Sequence, residues 1–259
     1  MDDPSTPRTP TDPQRTDPPR RPSAGGSALA HIVRGMPDPT PEQMPGRRRK
    51  PTSPHELQLP SGRHGLPRDV VVANQRERIS NAMAETVTKF GYAASSVERV
   101  ASRAGVSRRT FYEQFAGKED AYLQTYDLAA GRLLAAVTAV SLDEDTPDER
   151  LRRCLCSFLT GLASEPMLTH MCIVDVLTAG PTAVARRDRY QRAFAELLER
   201  LVGGPDARPL PPLATEGLVG AIYDLVYKRV AQDQLDELPD LLEDLLSFSL
   251  SVLTRPSTP

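Results

Sequence analysis

Residues 95–118, SSVERVASRAGVSRRTFYEQFAGK, constrain the fold most, because they spell two short helices joined by a tight turn. Val97, Val100, Ala101 and Ala104 fall at i, i+3, i+4 and i+7, one apolar stripe of a 3.6-residue helix that must face a core. Ser95, three residues before Glu98, predicts a capping-box start, and Gly105 supplies the left-handed stop. Val106 turns the chain inward, Ser107 is placed to cap a second helix, and Phe111 and Phe115 anchor that helix four residues apart. Arg108, Arg109, Tyr112 and Gln114 are left facing outward. Two arginines in a first turn oppose the helix dipole, so the arrangement suits an anionic partner. A helical hairpin with a merely solvated polar face is the competing reading. The agreement of caps, turn, apolar spacing and charge within one window weighs against it.

A helix-turn-helix lays its second helix in the major groove with its N-terminal residues toward the base edges. Double-stranded DNA is therefore the expected partner, with Arg108 and Arg109 nearest the bases and Ser96, Ser107 and Thr110 also expected on the DNA side. Gln75-Arg76-Glu77-Arg78-Ile79 opens a preceding helix and Phe90-Gly91-Tyr92 closes it, ahead of SVERVASRAGVSRRTFYEQFAGKED. Over residues 70–126 this pattern resembles the tetracycline-repressor-like (TetR) bacterial transcription regulators. The resemblance implies that 106–115 is the recognition segment and that Tyr112 and Lys118 touch backbone phosphate. It also implies a following helical domain that binds an effector and dimerises. Gln114 stands where many members carry histidine, and a glutamine can still donate to a phosphate.

Charge is distributed to match. Residues 1–69 carry 11 Lys/Arg against 8 Asp/Glu, residues 70–126 carry 8 against 6, and residues 127–259 carry 13 against 20. An acidic C-terminal part is repelled by phosphate and favours docking through the other end. The first 68 residues hold 15 of the 25 prolines and no sustained apolar period, so they are expected to be disordered. Arg63 and Arg68, on a Gly-containing leash beside the first helix, are placed like an arm that enters a narrow minor groove. A solvated tail, or a gene start set too far upstream, is the alternative. The expected organisation is a 1–68 extension, a 69–126 helix-turn-helix domain and a 127–255 effector-binding and dimerisation domain, all-α throughout.

The spacing predicts helix 1 over 71–90, with Ile79, Ala82, Met83, Thr86, Val87 and Phe90 on one side and Gly91 as its stop. A further helix opens near Lys118 and carries Ala121, Tyr122 and Tyr126 inward. Beyond it, helices are expected over 130–141, 148–163, 167–179, 182–203, 213–231 and 236–254, punctuated by Pro147, Pro166, Pro181 and Gly203-Gly204. Ala214, Gly217, Leu218, Ala221 and Leu225 make a stripe with small residues in its first turns, and the last helix offers Leu238, Leu241, Leu242, Leu245 and Val252. These stripes either face the chain's own core or build a four-helix interface between two subunits. The family resemblance favours the homodimer.

Leu133, Leu134, Val137, Phe158, Leu159, Leu162, Met167, Met171, Val174 and Leu177 are expected to line an apolar interior for a small-molecule effector. His170, Asp175, Tyr190 and Tyr223 are the polar candidates for orienting it, and each alone can also be a structural group. Cys154, Cys156 and Cys172 show no metal spacing and read as buried thiols, a redox sensor being the alternative. No G-x-S-x-G, G-x-G-x-x-G, P-loop or H-E-x-x-H occurs, and His31, His55 and His64 fall in the proline-rich tail, so neither an enzyme nor a cofactor is expected. With no run of about 18 apolar residues and no signal-peptide pattern, a cytoplasmic location without membrane contact is expected. The resulting expectation is a ligand-responsive, sequence-specific transcription regulator, a repressor released from a palindromic operator. Its alternatives are a helical interaction module that has lost DNA binding, or a helical enzyme.

Overall fold

In the computed structural model, residues 67–140, 146–202, 210–211 and 213–253 are described. Every element among them is helical: α1 Arg68–Ala94, α2 Val97–Ala104, α3 Arg108–Gln114, α4 Lys118–Val140, α5 Pro147–Ala163, α6 Pro166–Ile173, α7 Pro181–Val202, α8 Ala214–Ala231 and α9 Leu242–Leu253. Short 3-10 segments, Asp175–Leu177 and Leu235–Leu241, lead into α7 and α9. Residues 1–66 of the expected extension, Arg63 among them, and Gly203-Gly204 lie outside the described residues.

The helix-turn-helix forms as its spacing predicts, with one shift. Ser96, not Ser95, caps α2: its hydroxyl accepts from the Arg99 N–H at 3.3 Å, while the Ser95 hydroxyl donates back to the Gly91 carbonyl at 2.8 Å. The reason lies in Gly91. Its φ of 76° and ψ of 157° interrupt α1, but one more turn follows to Ala94, so Ser95 ends that turn before Ser96 can begin the next helix. Ser107 caps α3 by accepting from Thr110 N–H at 3.0 Å. Val100, Ala101, Ala104, Phe111 and Phe115 are all buried against Ile79, Met83 and Val87 of α1.

Gly105 ends α2 at φ 64°, and a second contact makes the glycine necessary. The buried Arg78 guanidinium reaches across from α1 and donates to the Ala104 and Gly105 carbonyls, the latter at 2.8 Å, so it caps the C-terminus of α2 from outside the motif. A Cβ on residue 105 would stand 2.7 Å from Arg78 Nη2. Gly105→Ala is expected to cost about 1–2 kcal/mol through the left-handed backbone alone. On a domain of this size that lowers the melting temperature by roughly 2–8 °C, more if Arg78 is dislodged. An unchanged melting curve would show that the turn tolerates another conformation.

Other boundaries differ from the expected ones for identifiable reasons. α1 begins at Arg68, three residues before the predicted start, because Pro67 at its cap position already sets a compatible backbone. Arg68 is therefore helical and not part of a leash. α4 runs unbroken from Lys118 to Val140, where a break near residue 127 was expected. No proline or terminating glycine interrupts it, and Gly131 is buried inside the helix. α6 is shorter than the predicted 167–179, and the predicted 236–254 helix opens as a 3-10 segment containing Pro239. α5 starts on a full capping box, Thr146 with Glu149, and Pro147 in its first turn.

α4 packs against α1, α5, α6 and α7, and α1 packs directly on α6. The core is continuous from Ile79 in α1 to Leu253 in α9. No single described helix is long and apolar enough to cross a membrane, and no three His, Cys, Asp or Glu side chains converge on a metal site among the described residues.

Candidate nucleic-acid interface and sensor helices

The outward face of α3 carries the predicted cations. Arg109 is 89% exposed and pairs with Glu113 one turn on at 3.0 Å; Arg108 pairs with Glu98 of α2 at 3.0 Å. Glu98 is held below the usual carboxylate range by hydrogen bonds from its own backbone N–H and from Ser96, and then by the Arg108 charge. Exposed pairs of this kind contribute little to stability, so both guanidiniums can be surrendered to a stronger anion. Ser107 and Tyr112 are exposed beside them and Thr110 is half-buried, its hydroxyl 2.9 Å from that of Ser107.

Two predicted contacts sit further in. Gln114 is half-buried, with its backbone carbonyl accepting from Arg76 at 3.1 Å. Lys118 Nζ donates to the Tyr92 carbonyl at 3.0 Å and lies 4.2 Å from the centre of the Tyr92 ring. It ties α4 to the end of α1 in addition to whatever it touches outside. Sequence reasoning missed Glu98 and Glu113 as partners of the arginines, although i, i+4 spacing signals the second.

Of the predicted interior residues, Leu134, Val137, Leu159, Leu162 and Met171 are buried, whereas Leu133, Phe158 and Val174 are partly buried against the same core. Phe158 and Phe194 meet edge to face at 5.6 Å. Met167 and Leu177 are exposed at 45% and 43%, because each falls at the outer edge of the short α6 and 3-10 stretch, so neither lines an interior. Cys154 and Cys172 are buried and their thiols pushed up by desolvation, Cys154 to about 11; Cys156 is exposed, contrary to expectation, since residues two apart on a helix point away from one another.

The polar candidates are all engaged. His170 Nδ1 lies 2.9 Å from Asp175 Oδ2. The Tyr223 hydroxyl donates to the Ile173 carbonyl at 2.7 Å, and the Tyr122 hydroxyl donates to the Met171 carbonyl at 2.9 Å. The end of α6 is thus held from α8 and from α4 together. The Tyr190 hydroxyl donates to the Asp127 carbonyl at 3.1 Å, next to a carboxylate that binds Arg186 and Arg189. Desolvation pushes the Tyr223 hydroxyl up to about 12 and that of Tyr190 higher.

Residues 79–124 match the bacterial regulatory proteins of the tetR family, and the match covers α2, α3 and the turn between them. Over that stretch the chain is similar to tetR-family regulators. The fatty acid metabolism regulator protein of Bacillus subtilis is 22% identical over 184 residues, covering 67% of this chain and 93% of that protein. The fatty acid degradation regulator FadR of Bacillus halodurans superposes with a TM-score of 0.62 at 18% identity, over 70% of this chain and 97% of that one. FadR of Bacillus subtilis, solved in complex with stearoyl-CoA, gives 0.60 at 20% identity, over 70% and 99%. At these identities the structural likeness establishes the shared all-α fold.

The terminal stripes divide between core and surface. Thr215, Leu218, Ile222, Val226 and Val230 of α8 face inward, as does Leu245 of α9, so Leu218 and Leu245 pack in the chain's own core. Leu241 and Leu242 are half-buried, where α9 meets the 3-10 segment. Gly217 and Leu225 remain exposed, Ala221 partly so, and Phe248 joins them as an exposed aromatic that the leucine pattern had hidden.

Proposed function

We propose that this chain is a tetR-family regulator acting as a homodimeric repressor, released from a palindromic operator by a small-molecule effector of the fatty-acyl-CoA class. The observation that carries the DNA-binding half is the capped α3 with Arg108, Arg109 and Tyr112 exposed on one face. Support for the effector class comes from the relatives: two are fatty acid regulators, and one was solved with stearoyl-CoA. The apolar residues of α5, α6 and α7 suit an acyl chain, and the arginines of α7 suit an anionic head. The outer stripe of Gly217, Ala221, Leu225 and Phe248 is the dimer face in this reading, and Leu241 and Leu242 flank it. The role is regulatory and not catalytic, and its place is the cytoplasm, with residues 69–126 as the operator-binding part and 127–255 as the sensing and dimerising part. Arg63 before α1 and Arg68 at its first position would add phosphate contacts.

The test is operator selection from genomic fragments followed by titration with stearoyl-CoA, which should release the bound DNA; retention at saturating stearoyl-CoA would remove this effector class. A residue-level prediction accompanies it. Arg108→Ala and Arg109→Ala should each cost about 1–3 kcal/mol at the operator and relax preference at one symmetric base pair, while Lys118→Ala weakens every sequence alike. Equal, sequence-independent losses for all three would exclude base reading by the arginines.

A further inference from the structure

Asp127 sits on α4, nine residues beyond Lys118, or roughly 13 Å along the helix axis. Its carboxylate accepts from Arg186 through one oxygen and from Arg189 Nη2 through the other, at 3.2 Å. Both arginines are on α7, so the three side chains bridge the helix that leaves the recognition motif and a helix of the sensing region. The cluster is half-buried, with side-chain exposures of 30% for Asp127, 29% for Arg186 and 41% for Arg189, and can be reached from solvent.

The charge in this cluster is unbalanced. One carboxylate faces two guanidiniums, and the α7 run Arg186-Arg187-Asp188-Arg189-Tyr190-Gln191-Arg192 supplies four cations against one anion. Asp188 is committed to Arg187 at 2.7 Å, and Arg187 also stacks over the Tyr223 ring at 5.6 Å. Arg189 Nε is buried with no acceptor among the described residues. Burial pushes the Asp127 carboxyl up although both arginines pull it down, so this carboxylate is poorly solvated where it lies. A phosphate group carries close to two negative charges and three acceptor oxygens, and it meets paired guanidiniums with better charge balance than a single carboxylate.

We propose that Arg186 and Arg189 form a docking site for a phosphate-class anion and that Asp127 is the built-in competitor for that site. An effector bearing such a group displaces the Asp127 carboxylate, which removes the ion pairs between α4 and α7. The inference rests on the proposed acyl-CoA reading and specifies how such a ligand would reach the DNA-binding end. A ligand shifts an equilibrium only through contacts that differ between two states, and the exchange of Asp127 for phosphate is such a difference. Coupling of this sort alters operator affinity by roughly 5- to 150-fold.

Asp127→Asn and the double variant Arg186→Gln/Arg189→Gln both abolish the clamp, yet they should move anion affinity in opposite directions. Calorimetric titration of the full chain with stearoyl-CoA, and separately with pyrophosphate, should show binding about tenfold tighter to Asp127→Asn and at least about tenfold weaker to the double variant. Arg192→Gln, which alters the charge of the same helix away from the clamp, should match the wild type. A clamp that is only structural would shift both variants the same way, and that result overturns the site. Should the double variant not fold, Arg189→Gln alone takes its place. If stearoyl-CoA fails to bind the wild type, the effector reading falls and pyrophosphate decides the site by itself: tighter binding to Asp127→Asn supports it, and equal or absent binding overturns it.

Discussion

Leu245→Asp is expected to unfold the C-terminal helices, whereas Leu225→Asp leaves them folded and yields monomers. Leu245 is 2% exposed and packs inside the chain's own core, so an aspartate there must either bury an unpaired charge or leave the core. The lost leucine packing alone is worth about 2–5 kcal/mol, a large share of the stability of an ordinary domain. Leu225 is 41% exposed on α8, where a charge is solvated in the monomer and disfavoured only across a dimer face. Circular dichroism and sedimentation separate the two effects. A folded monomer from Leu245→Asp, or an unchanged dimer from Leu225→Asp, would place the interface elsewhere.

Phe111→Ala should disable operator binding while leaving the dimer intact. Phe111 is completely buried, packs against Phe115 at 5.7 Å and meets Tyr112 edge to face at 5.6 Å, so it fixes both the inside and the outside of α3. Truncation of a buried phenylalanine costs about 3–5 kcal/mol. α3 is a helix of seven residues, too short to persist without that anchor. Hydrogen exchange should therefore show protection lost in α2 and α3 and retained in α5, α8 and α9. Uniform loss throughout would mean that the two ends unfold as one unit.

The helix-turn-helix was legible in the sequence because its signals are local. Caps, a left-handed glycine and aromatics four apart all act within one or two turns; the Ser95–Ser96 shift escaped through the extra turn after Gly91, and the pairs of Arg108 with Glu98 and Arg109 with Glu113 went unread. What stayed hidden depends on distant partners. Arg78 caps α2 from 26 residues away, and Asp127 meets arginines 59 and 62 residues further on. No periodicity announces either contact. The terminal leucines show the other difficulty: a helix with apolar residues around much of its circumference does not say which side its own core will take, so Leu218 could be assigned inward only once α7 was in place beside α8, and Leu245 once α5 was in place beside α9. The arginine run of α7 stands in the sequence, but its value lies in Asp127, 59 residues before Arg186.

The way α6 is held has a bearing on how such regulators can be recombined. Its Met167 carbonyl accepts from Thr88 of α1 at 3.3 Å, its Met171 carbonyl from Tyr122 of α4, and its Ile173 carbonyl from Tyr223 of α8. A chimera that grafts a foreign reading head at residue 126 would cut α4 in mid-helix and leave α6 facing a surface it was not shaped against. The transplantable part is larger than the motif: α1 to α4 together with α6 travel as one piece, and a graft that respects that seam keeps the native contacts of α6 with α1 and α4.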